Sequence, residues 1–412
     1  MPITVLKNGN VLDLEKGTYL EGYSVVIEGE RIVEVTNART EFHDARVIDA
    51  KGKTIMPGFI DCHVHVLASH ANLGTNAAQP NILATIRALP LLDAMLSRGF
   101  TTVRDAGGAD WALMHAIETG LTPGPRIFPS GKALSQTGGH GDFRPRSDTF
   151  EPCSCCFRAG AIARVVDGVD NVRLAAREEI LRGATQIKIM ASGGVASQFD
   201  PIANTQYSED EIRAIVAEAE AANTYVMAHA YTGRAIARAV RCGVRTIEHG
   251  NLVDEAAAKV MREHGAYAVP TLATYDVLGV YGAKLGLTAD SIAKVEGVQK
   301  AGRESLEIFR QAGVPMGFGS DLLGEMQEFQ SNEFRIRSEV IGNLETLRSA
   351  TTIGAEVLNR QGQLGVIAAG ALADVLVVNG DPLVDIEAVA NGAERIEYVF
   401  QSGKLVKQTR PM

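Results

Sequence analysis

Residues 54–65 read TIMPGFIDCHVH, an apolar run of strand length that ends in the pair His63 and His65. Side chains at positions i and i+2 of a strand share one face, so both imidazoles could reach one metal ion. With nine histidines in 412 residues, a chance H-x-H has a probability of roughly 0.2, so the motif alone is weak. Its place at the end of a predicted strand favours metal ligation over a hydrogen-bonded polar pair.

Similar apolar runs recur between about residues 55 and 360, separated by amphipathic stretches. Eight can be counted: TIMPGFIDCHVH, FTTVRD, PRIFPSG, ATQIKIMAS, TYVMAHA, VRTIEHG, AYAVPT and VPMGFGSD. One stretch between them, SEDEIRAIVAEAEAAN, carries Ser208 and Glu211 at the spacing of a helix capping box. Eight alternating units predict an α/β fold, a closed (β/α)8 TIM-like barrel over residues 55–361.

The two ends of the chain have a different pattern, which predicts short strands joined by turns, as in YSVVIEGERIVEV and ADVLVVNGDP. They predict one small composite β-sandwich domain built from residues 1–54 plus 362–412. A barrel of roughly 250 residues with a smaller domain also suits a chain of this length. Residues 132–161, rich in Gly, Pro, Ser and Cys, form a long irregular stretch that we expect to be a functional lid.

Composition and charge limit the partners. The net charge of −9 argues against a general nucleic-acid surface, which would need a basic face. No stretch has the length and apolarity of a membrane span, and the first residues do not resemble a leader, so we expect a cytoplasmic enzyme. An odd cysteine count is no disulfide framework. We expect reduced, non-catalytic thiols at Cys62, Cys242, Cys153, Cys155 and Cys156.

Polar residues in the predicted barrel strands decide the function, because the active site of such a barrel lies where the strand carboxyl ends meet. Six potential metal ligands occupy these positions: His63, His65, Lys188, His229, His249 and Asp321. Taken singly, His229 and His249 could be core histidines, and Asp321 could cap a helix. Their shared placement favours a metal site. His43, His70, His115 and His264 lack this placement, and we expect them at the surface or on helices.

Lys188 is the unusual member of this set, since desolvation and nearby cations both disfavour a buried ammonium. One alternative is an ion-paired or snorkelling lysine. The other is a lowered pKa, which would expose a neutral amine that can add carbon dioxide. The resulting carbamate would offer two anionic oxygens to two cations.

These motifs resemble the amidohydrolase superfamily over nearly the full chain. PGFIDCHVH, QIKIMASGG, MAHAY, TIEHGN and GFGSD occur in the family order, and LGVIAAGALADVLVVNGDPL resembles the superfamily's composite β domain. GGHGD at 138–142, together with KIMASGGVASQFDP, is similar to the imidazolonepropionase-related branch. That branch contains prolidases, Xaa-Arg and Xaa-Lys dipeptidases and ochratoxinase, which cleave an amide next to a carboxylate.

The resemblance implies a division of labour among the ligands. His63, His65 and Asp321 would hold the more buried of two divalent ions, His229 and His249 the more exposed one, and carboxylated Lys188 would bridge them. Zinc is the first expectation, although manganese, iron or cobalt would suit the same ligands. Two ions about 3.5 to 4 Å apart would activate a shared water and polarise the scissile carbonyl. Asp321 would take a proton from that water and pass it to the leaving amine.

Two further residues resemble substrate contacts, His140 and Tyr231. Tyr231 could donate to the developing oxyanion, and His140 could do the same or bind the substrate carboxylate. The alternative is that His140 organises a glycine turn and Tyr231 packs in the core. Arg144 and Arg146 could recognise a carboxylate through forked hydrogen bonds or could simply be solvated.

The resulting expectation is hydrolysis of a dipeptide or N-acyl amino acid, with Xaa-Pro first. The loops contain no obvious acidic cluster, which favours an apolar or cyclic leaving residue over Lys or Arg. An ochratoxin-type amidase, an Xaa-Arg or Xaa-Lys dipeptidase and a cyclic amidase stay open. A metal-free scaffold protein would lack ligands, and a single-metal deaminase would not need Lys188. The family resemblance also implies a homo-oligomer.

Overall fold

The computed structural model describes residues 3–38, 44–144, 158–195, 197, 199–285 and 289–409. The strands are β1 (Ile3–Asp13), β2 (Thr18–Glu28), β3 (Arg31–Thr36), β4 (Arg46–Asp49), β5 (Thr54–Pro57), β6 (Phe59–Val64), β7 (Phe100–Asp105), β8 (Arg126–Phe128), β9 (Ala133–Ser135), β10 (Ala163–Val165), β11 (Ile187–Met190), β12 (Val226–Thr232), β13 (Thr246–Leu252), β14 (Tyr267–Val269), β15 (Val375–Val378), β16 (Ile396–Gln401) and β17 (Lys404–Gln408).

The helices are α1 (Leu73–Ala78), α2 (Asn81–Ser97), α3 (Trp111–Glu118), α4 (Val169–Leu181), α5 (Glu209–Ala221), α6 (Gly233–Arg241), α7 (Glu255–Glu263), α8 (Ala273–Tyr281), α9 (Ala289–Ala312), α10 (Asn332–Ser349), α11 (Thr352–Val357), α12 (Glu387–Ala390) and α13 (Gly392–Arg395), with a 3₁₀ helix at Gly324–Phe329. Among the described residues, no helix has the length and apolar character needed to cross a membrane. The predicted capping box at the start of α5 is confirmed: Ser208 Oγ accepts from Glu211 N, and the Glu211 carboxylate accepts from Ser208 N.

Strands from both ends of the chain form one eight-stranded sheet. Its order is β17-β16-β15-β5-β1-β2-β3, with β4 paired to β1. β5 is the junction, because Ile55 pairs with Val377 of β15 on one side and with Val11 of β1 on the other. Buried side chains from both ends pack together in this sheet, among them Leu6, Val25, Val375 and Phe400.

The run at 54–65, predicted as one strand, is two strands in different sheets. β5 belongs to the eight-stranded sheet and β6 to a parallel sheet. The chain passes close to β7 at Gly58, where an added Cβ would lie 2.2 Å from Thr101 Oγ1. Glycine permits this approach and interrupts the strand. The predicted boundary between residues 54 and 55 therefore falls inside β5.

The remaining strands form two parallel sheets, β6-β7-β8 and β10-β9-β11-β12-β13-β14. Seven of the eight predicted barrel runs contain a strand of these sheets, so the predicted α/β alternation is confirmed there. β8 ends the smaller sheet, and residues 129–132 connect it to β9 in the larger one. β9 lies within residues 132–161, which were predicted to be irregular. Its three residues are buried and pair with β10 and β11, so this part of the stretch is a regular strand.

The eighth predicted strand, residues 314–321, is not a regular strand. Pro315 has no N–H to donate, and glycine at 317 and 319 weakens a strand. The segment nevertheless bonds to both neighbours: Gly317 N donates to Ala268 O at 2.8 Å, and Cys62 N donates to Phe318 O at 2.7 Å. It therefore lies between β14 and β6.

Candidate metal centre

The end of β6 presents two imidazoles to one carboxylate. Asp321 Oδ1 lies 3.5 Å from His63 Nε2 and 3.3 Å from His65 Nε2. The Asp321 N–H also donates to His63 O at 2.9 Å, which holds the two segments side by side. The structure therefore brings three of the six predicted ligands to one point.

β12 and β13 add two further imidazoles to this cluster. The ring centroid of His249 lies 4.9 Å from that of His63 and 4.6 Å from that of His229. One potential ligand atom each from His63, His249 and Asp321 lies within 4.8 Å of the others. All of the histidines in this cluster are buried, so the arrangement is a compact internal site.

Each imidazole makes a hydrogen bond through one ring nitrogen, and this bond determines which nitrogen is left for a metal ion. The bonded pairs are His63 Nδ1 with Glu248 Oε2 (2.7 Å), His65 Nδ1 with Gly107 O (3.0 Å), His249 Nδ1 with Thr271 Oγ1 (2.8 Å) and His229 Nε2 with Gly193 O (3.2 Å). A carbonyl oxygen only accepts, so His65 and His229 carry their protons on the nitrogens named. The opposite nitrogens are free for a cation.

The electrostatics of the cluster favour cation binding. Burial lowers the pKa of His229 well below its ordinary value and that of His249 to about 3. The pKa of His65 is raised, because the Asp321 carboxylate outweighs the effect of burial. Burial also raises the pKa of Asp321, but the imidazoles, His63 first, outweigh it and hold that pKa well below the usual range. Neutral His229 and His249 and an ionised Asp321 are ligand forms that bind metals, whereas the raised pKa of His65 favours a protonated ring whose proton a cation would have to displace.

Lys188, on β11, is only 1% exposed. Its side chain has no ion pair or hydrogen bond with any residue that the structure describes, and burial lowers its pKa to about 8. It is therefore neither the ion-paired nor the snorkelling lysine that the sequence left open. A buried amine that is readily deprotonated is what carbamate formation requires, and the carbamate itself stays a prediction.

Two of the predicted ligands have a left-handed backbone conformation. The φ angles are 69° at His249 and 51° at Asp321. Such conformations cost on the order of 1–3 kcal/mol for a residue with a Cβ and concentrate at functional sites. The chain therefore tolerates backbone strain at two of the positions whose side chains form the cluster.

Behind His63 lies a buried ion pair that sequence reasoning missed. Arg104 Nη2 donates to both Glu248 oxygens at 2.9 and 3.0 Å, and Arg104 Nε donates to Cys62 O at 2.7 Å. Glu248 directly precedes His249 in TIEHG, and this acidic residue within a buried strand was the available signal. The pair orients His63 and joins β6, β7 and β13.

His140 lies in the loop after β9 and joins the cluster. Its Nδ1 lies 2.6 Å from Ser197 Oγ and 3.2 Å from Asp200 Oδ2, and its ring stacks on His229 with centroids 4.1 Å apart. The imidazole rests on Gly194, where an added Cβ would lie 2.0 Å from its Cε1. The ring is thus fixed at Nδ1, and Nε2 stays available to a substrate.

The loop that orients His140 is itself held by helix α9, which the sequence did not reveal. Lys294 Nζ donates to Gly194 O and Ser197 O, each at 3.0 Å. Asp200 Oδ2 accepts from Gly194 N at 3.0 Å. Burial raises the pKa of Asp200, but hydrogen bonding with His140 outweighs it and lowers that pKa, so the carboxylate is ionised.

Tyr231 also lies beside the cluster. Its ring stacks on His249 with centroids 5.3 Å apart and meets His229 edge-on at 5.0 Å. Its hydroxyl shares a hydrogen bond of 2.5 Å with the Tyr275 hydroxyl. Tyr231 therefore packs in a buried position and also presents a polar group there.

The other candidate residues lie elsewhere. Arg144 directs its guanidinium onto Asp142, with Nε to Oδ1 at 2.8 Å and Nη2 to Oδ2 at 2.7 Å. His70, His115 and His264 lie at the surface or on helices, as predicted. Cys62 and Cys242 are buried free thiols. The positions outside the described residues are His43, Arg146, Cys153, Cys155, Cys156 and residues 145–157 of the expected lid.

Comparison with known proteins identifies relatives of this chain. A crystal structure of a prolidase complexed with N-methylphosphonate-L-proline shares 75% identity and a TM-score of 0.98, covering 99% of this chain and 100% of that one. Ochratoxinase of Aspergillus niger is 31% identical over 366 residues, 86% of this chain and 75% of that protein. An Xaa-Pro dipeptidase crystallised with bound methionine shares 28% identity and a TM-score of 0.85, covering 98% of this chain and 99% of that one.

These relatives confirm the branch that the motifs indicate. The model of the amidohydrolase family matches residues 54–406, which is most of the chain. The protein is therefore a hydrolase of amide or peptide bonds, and this chain belongs to the amidohydrolase family.

Proposed function

We propose that this protein is a binuclear metal-dependent dipeptidase that hydrolyses Xaa-Pro dipeptides and related N-acyl prolines. The observation that carries the proposal is the meeting of the His63 and His65 imidazoles at Asp321, next to a buried, unpaired Lys188. The 75% identity to a prolidase crystallised with a phosphonate analogue of a proline dipeptide supports the choice of substrate.

The donor set fits two divalent cations, zinc first. His63, His65 and Asp321 would hold one ion, His229 and His249 the other, and the Lys188 carbamate would contact both. Each imidazole already has one nitrogen occupied by a protein partner, so the other is the natural ligand atom. When bound, such a pair of ions polarises the scissile carbonyl and lowers the pKa of water.

Asp321 is the proton carrier in this proposal. The imidazoles keep its carboxylate ionised, and its side chain is 20% exposed, so it can take a proton at a carboxylate oxygen. It then delivers that proton to the nitrogen of the leaving amine, which must be protonated to depart. One carboxylate thus serves first as base and then as acid.

Two donors stabilise the negative charge that develops on the substrate oxygen. Tyr231 can donate its phenolic proton, and an imidazolium at His140 can donate from Nε2 while its Nδ1 proton is taken by Asp200. Donors held rigidly at a developing oxyanion typically contribute about 10² to 10³ in rate.

The surroundings favour an apolar leaving residue. Tyr231 belongs to a buried apolar cluster with Ile162, Val195, Leu322 and Leu323. The acidic residues beside His140 are engaged, since Asp142 bonds Arg144 and Asp200 bonds His140. Proline therefore suits this region better than the cationic side chain of Lys or Arg.

The finer architecture forms part of the proposal. The parallel sheets and residues 314–321 would close into one (β/α)8 barrel, with the two chain ends as a composite β-sandwich domain. Apolar side chains exposed on α2 and α4, including Ile82 at 76% and Leu181 at 86%, support a homo-oligomer. Light scattering coupled to size-exclusion chromatography would determine the subunit number.

A substrate series tests the function. Protein purified with zinc and bicarbonate is assayed for kcat/KM on Xaa-Pro dipeptides, N-acyl prolines, Xaa-Arg and Xaa-Lys dipeptides and N-acyl phenylalanines. The expected result is the highest kcat/KM for Xaa-Pro. A preference for Xaa-Arg or Xaa-Lys would reject the prolidase assignment.

An ochratoxinase-like amidase is the second candidate, favoured by the 31% identity to ochratoxinase. A higher kcat/KM for N-acyl phenylalanines than for Xaa-Pro would identify it. Absence of hydrolysis throughout the series, in protein with less than one metal per chain, would favour the scaffold alternative.

A further inference from the structure

Asp61 lies two residues before His63 on β6, and its side chain is fully buried. It is neither a proposed metal ligand nor the proposed proton carrier. Its Oδ1 accepts from His63 N at 3.0 Å and from Ser320 N at 3.2 Å. Its Oδ2 accepts from Ser320 Oγ at 2.6 Å and from Gln330 Nε2 at 2.9 Å. One buried carboxylate therefore joins β6 to both ends of residues 320–330.

The direction of the bond between Gln330 and Asp61 follows from the other partner of Gln330. Arg98, which follows α2, donates to Gln330 Oε1 from Nη2 at 2.8 Å and from Nε at 3.2 Å. An arginine side chain only donates, so Oε1 is the accepting atom and the amide NH2 group faces Asp61. The two backbone N–H groups also only donate. Asp61 is therefore the acceptor in at least three of its four hydrogen bonds, as an ionised carboxylate requires.

These bonds hold Asp321 in place relative to His63. Residues 314–321 are not a regular strand, and Asp321 has a left-handed φ of 51°. The Asp321 N–H donates to His63 O at 2.9 Å, while Asp61 Oδ1 ties the His63 N–H to the N–H of Ser320, the residue before Asp321. The strained backbone is therefore held against β6 both at Asp321 itself and at the residue that precedes it.

We propose that Asp61 is a positioning residue for the metal centre: its carboxylate sets the separation of His63 Nε2 and Asp321 Oδ1, which lie 3.5 Å apart. The inference rests on the proposed function, in which Asp321 is both a metal ligand and the proton carrier. Asp61 itself touches neither metal nor substrate in this role. A misplacement of about 1 Å near the reacting atoms typically costs about 10² in rate, so a group that holds Asp321 affects hydrolysis through it.

The test compares D61N and S320A with the wild type. In D61N the amide oxygen can keep the two backbone donors, but the new NH2 group would face the NH2 group of Gln330. Two donors cannot bond each other, so the contact on that side is lost. In S320A only the bond from Oγ is lost and the backbone bond remains, so this variant should fold even if D61N does not.

The matched control is D374N. Asp374 is also a buried aspartate, accepts from Arg126 Nη1 at 2.7 Å and from Ser402 N at 2.8 Å, and bonds none of the proposed ligands. For each protein we measure zinc affinity by competition with a chelating dye, and kcat and KM on an Xaa-Pro dipeptide at saturating zinc. The thermal midpoint of the metal-free protein reports stability. A purely structural role would lower the thermal midpoint alone.

For D61N we expect zinc affinity to fall about 10-fold, and kcat at saturating zinc to fall about 100-fold with KM little changed. S320A should show the same pattern with smaller losses, about 2- to 10-fold, because it removes a single hydrogen bond. D374N should match the wild type in zinc affinity and in kcat, whatever its thermal midpoint.

Two results would overturn the inference and leave the proposed hydrolase intact. In one, D61N matches D374N in zinc affinity. In the other, saturating zinc restores full kcat to D61N. Where D61N does not fold, wild-type zinc affinity and kcat in S320A would overturn it. A wild-type protein that hydrolyses no Xaa-Pro dipeptide would instead reject the proposed function, and the zinc affinities would still decide whether Asp61 positions the metal ligands.

Discussion

His63 donates from Nδ1 to Glu248 Oε2 at 2.7 Å, and both side chains are fully buried. The bond leaves Nε2 as the free nitrogen that faces Asp321. Arg104 holds the same carboxylate from the other side, so the imidazole has a fixed tautomer and a fixed orientation. Carboxylates that bond a metal-binding histidine commonly tune affinity in this way.

Replacing Glu248 by Gln should weaken the metal site. The neutral amide is a poorer partner for His63 and leaves the Arg104 charge uncompensated, so we expect metal affinity to fall about 10- to 100-fold. Competition with a chelating dye measures the change.

The matched control for E248Q is D374N, because Asp374 is the buried partner of Arg126 and bonds none of the histidines that the structure describes. D374N should lower the thermal midpoint but leave metal affinity unchanged. Equal metal affinities for E248Q and the wild type would show that Glu248 only balances charge.

Replacing Gly194 by Ala should displace His140. The new methyl group would lie about 2 Å from the imidazole, and a misplacement of this size near the reacting atoms typically costs about 10² in kcat/KM. G297A is the control, since a Cβ at Gly297 on α9 would meet no atom of another described residue within 4 Å, the backbone and neighbours in its own helix aside. Wild-type kcat/KM in G194A would mean that the position of His140 does not matter for hydrolysis.

Lys132 should give the folded protein a distinctive pH dependence. Burial lowers its pKa from 10.5 to about 8, so between these values the unfolded chain holds a proton that the folded chain has released. The free energy of unfolding contributed by this group therefore rises with pH across that window, by at most about 1.4 kcal/mol per pH unit.

Urea unfolding of wild type and K132M from pH 7 to pH 10 measures this contribution. The wild type should gain stability relative to K132M above pH 8, whereas K259M, which changes a lysine 77% exposed, should follow the wild type. Parallel profiles for wild type and K132M would contradict the lowered pKa.

Most of the prediction of the fold and of the site rested on two signals, the residue types that bind metals and the periodicity of strands. The six proposed ligands could be singled out because each lies in or directly after an apolar run of strand length. The capping box of Ser208 and Glu211 is a local signal and was equally readable. The sequence did not predict that Gly58 divides the first run into two strands, because that depends on the distant side chain of Thr101.

The contacts that orient the site residues could not be predicted either, because they also join residues that are distant in the sequence. Lys294 reaches Gly194, in the loop that orients His140, from about a hundred residues away, and Tyr275 meets Tyr231 across two βα units. Neither pairing leaves a local pattern in the chain, since only the tertiary fold brings the partners together. Short motifs therefore identify ligands better than they identify the residues that orient them.

The most direct test of the central claim is the metal content of wild type and K188A, purified with bicarbonate and measured by plasma mass spectrometry alongside Xaa-Pro hydrolysis. We expect about two divalent ions per wild-type chain, about one or fewer in K188A, and kcat/KM at least about 100-fold lower in K188A. Fewer than one ion per wild-type chain, or a K188A variant with full activity, would contradict a binuclear site bridged by Lys188.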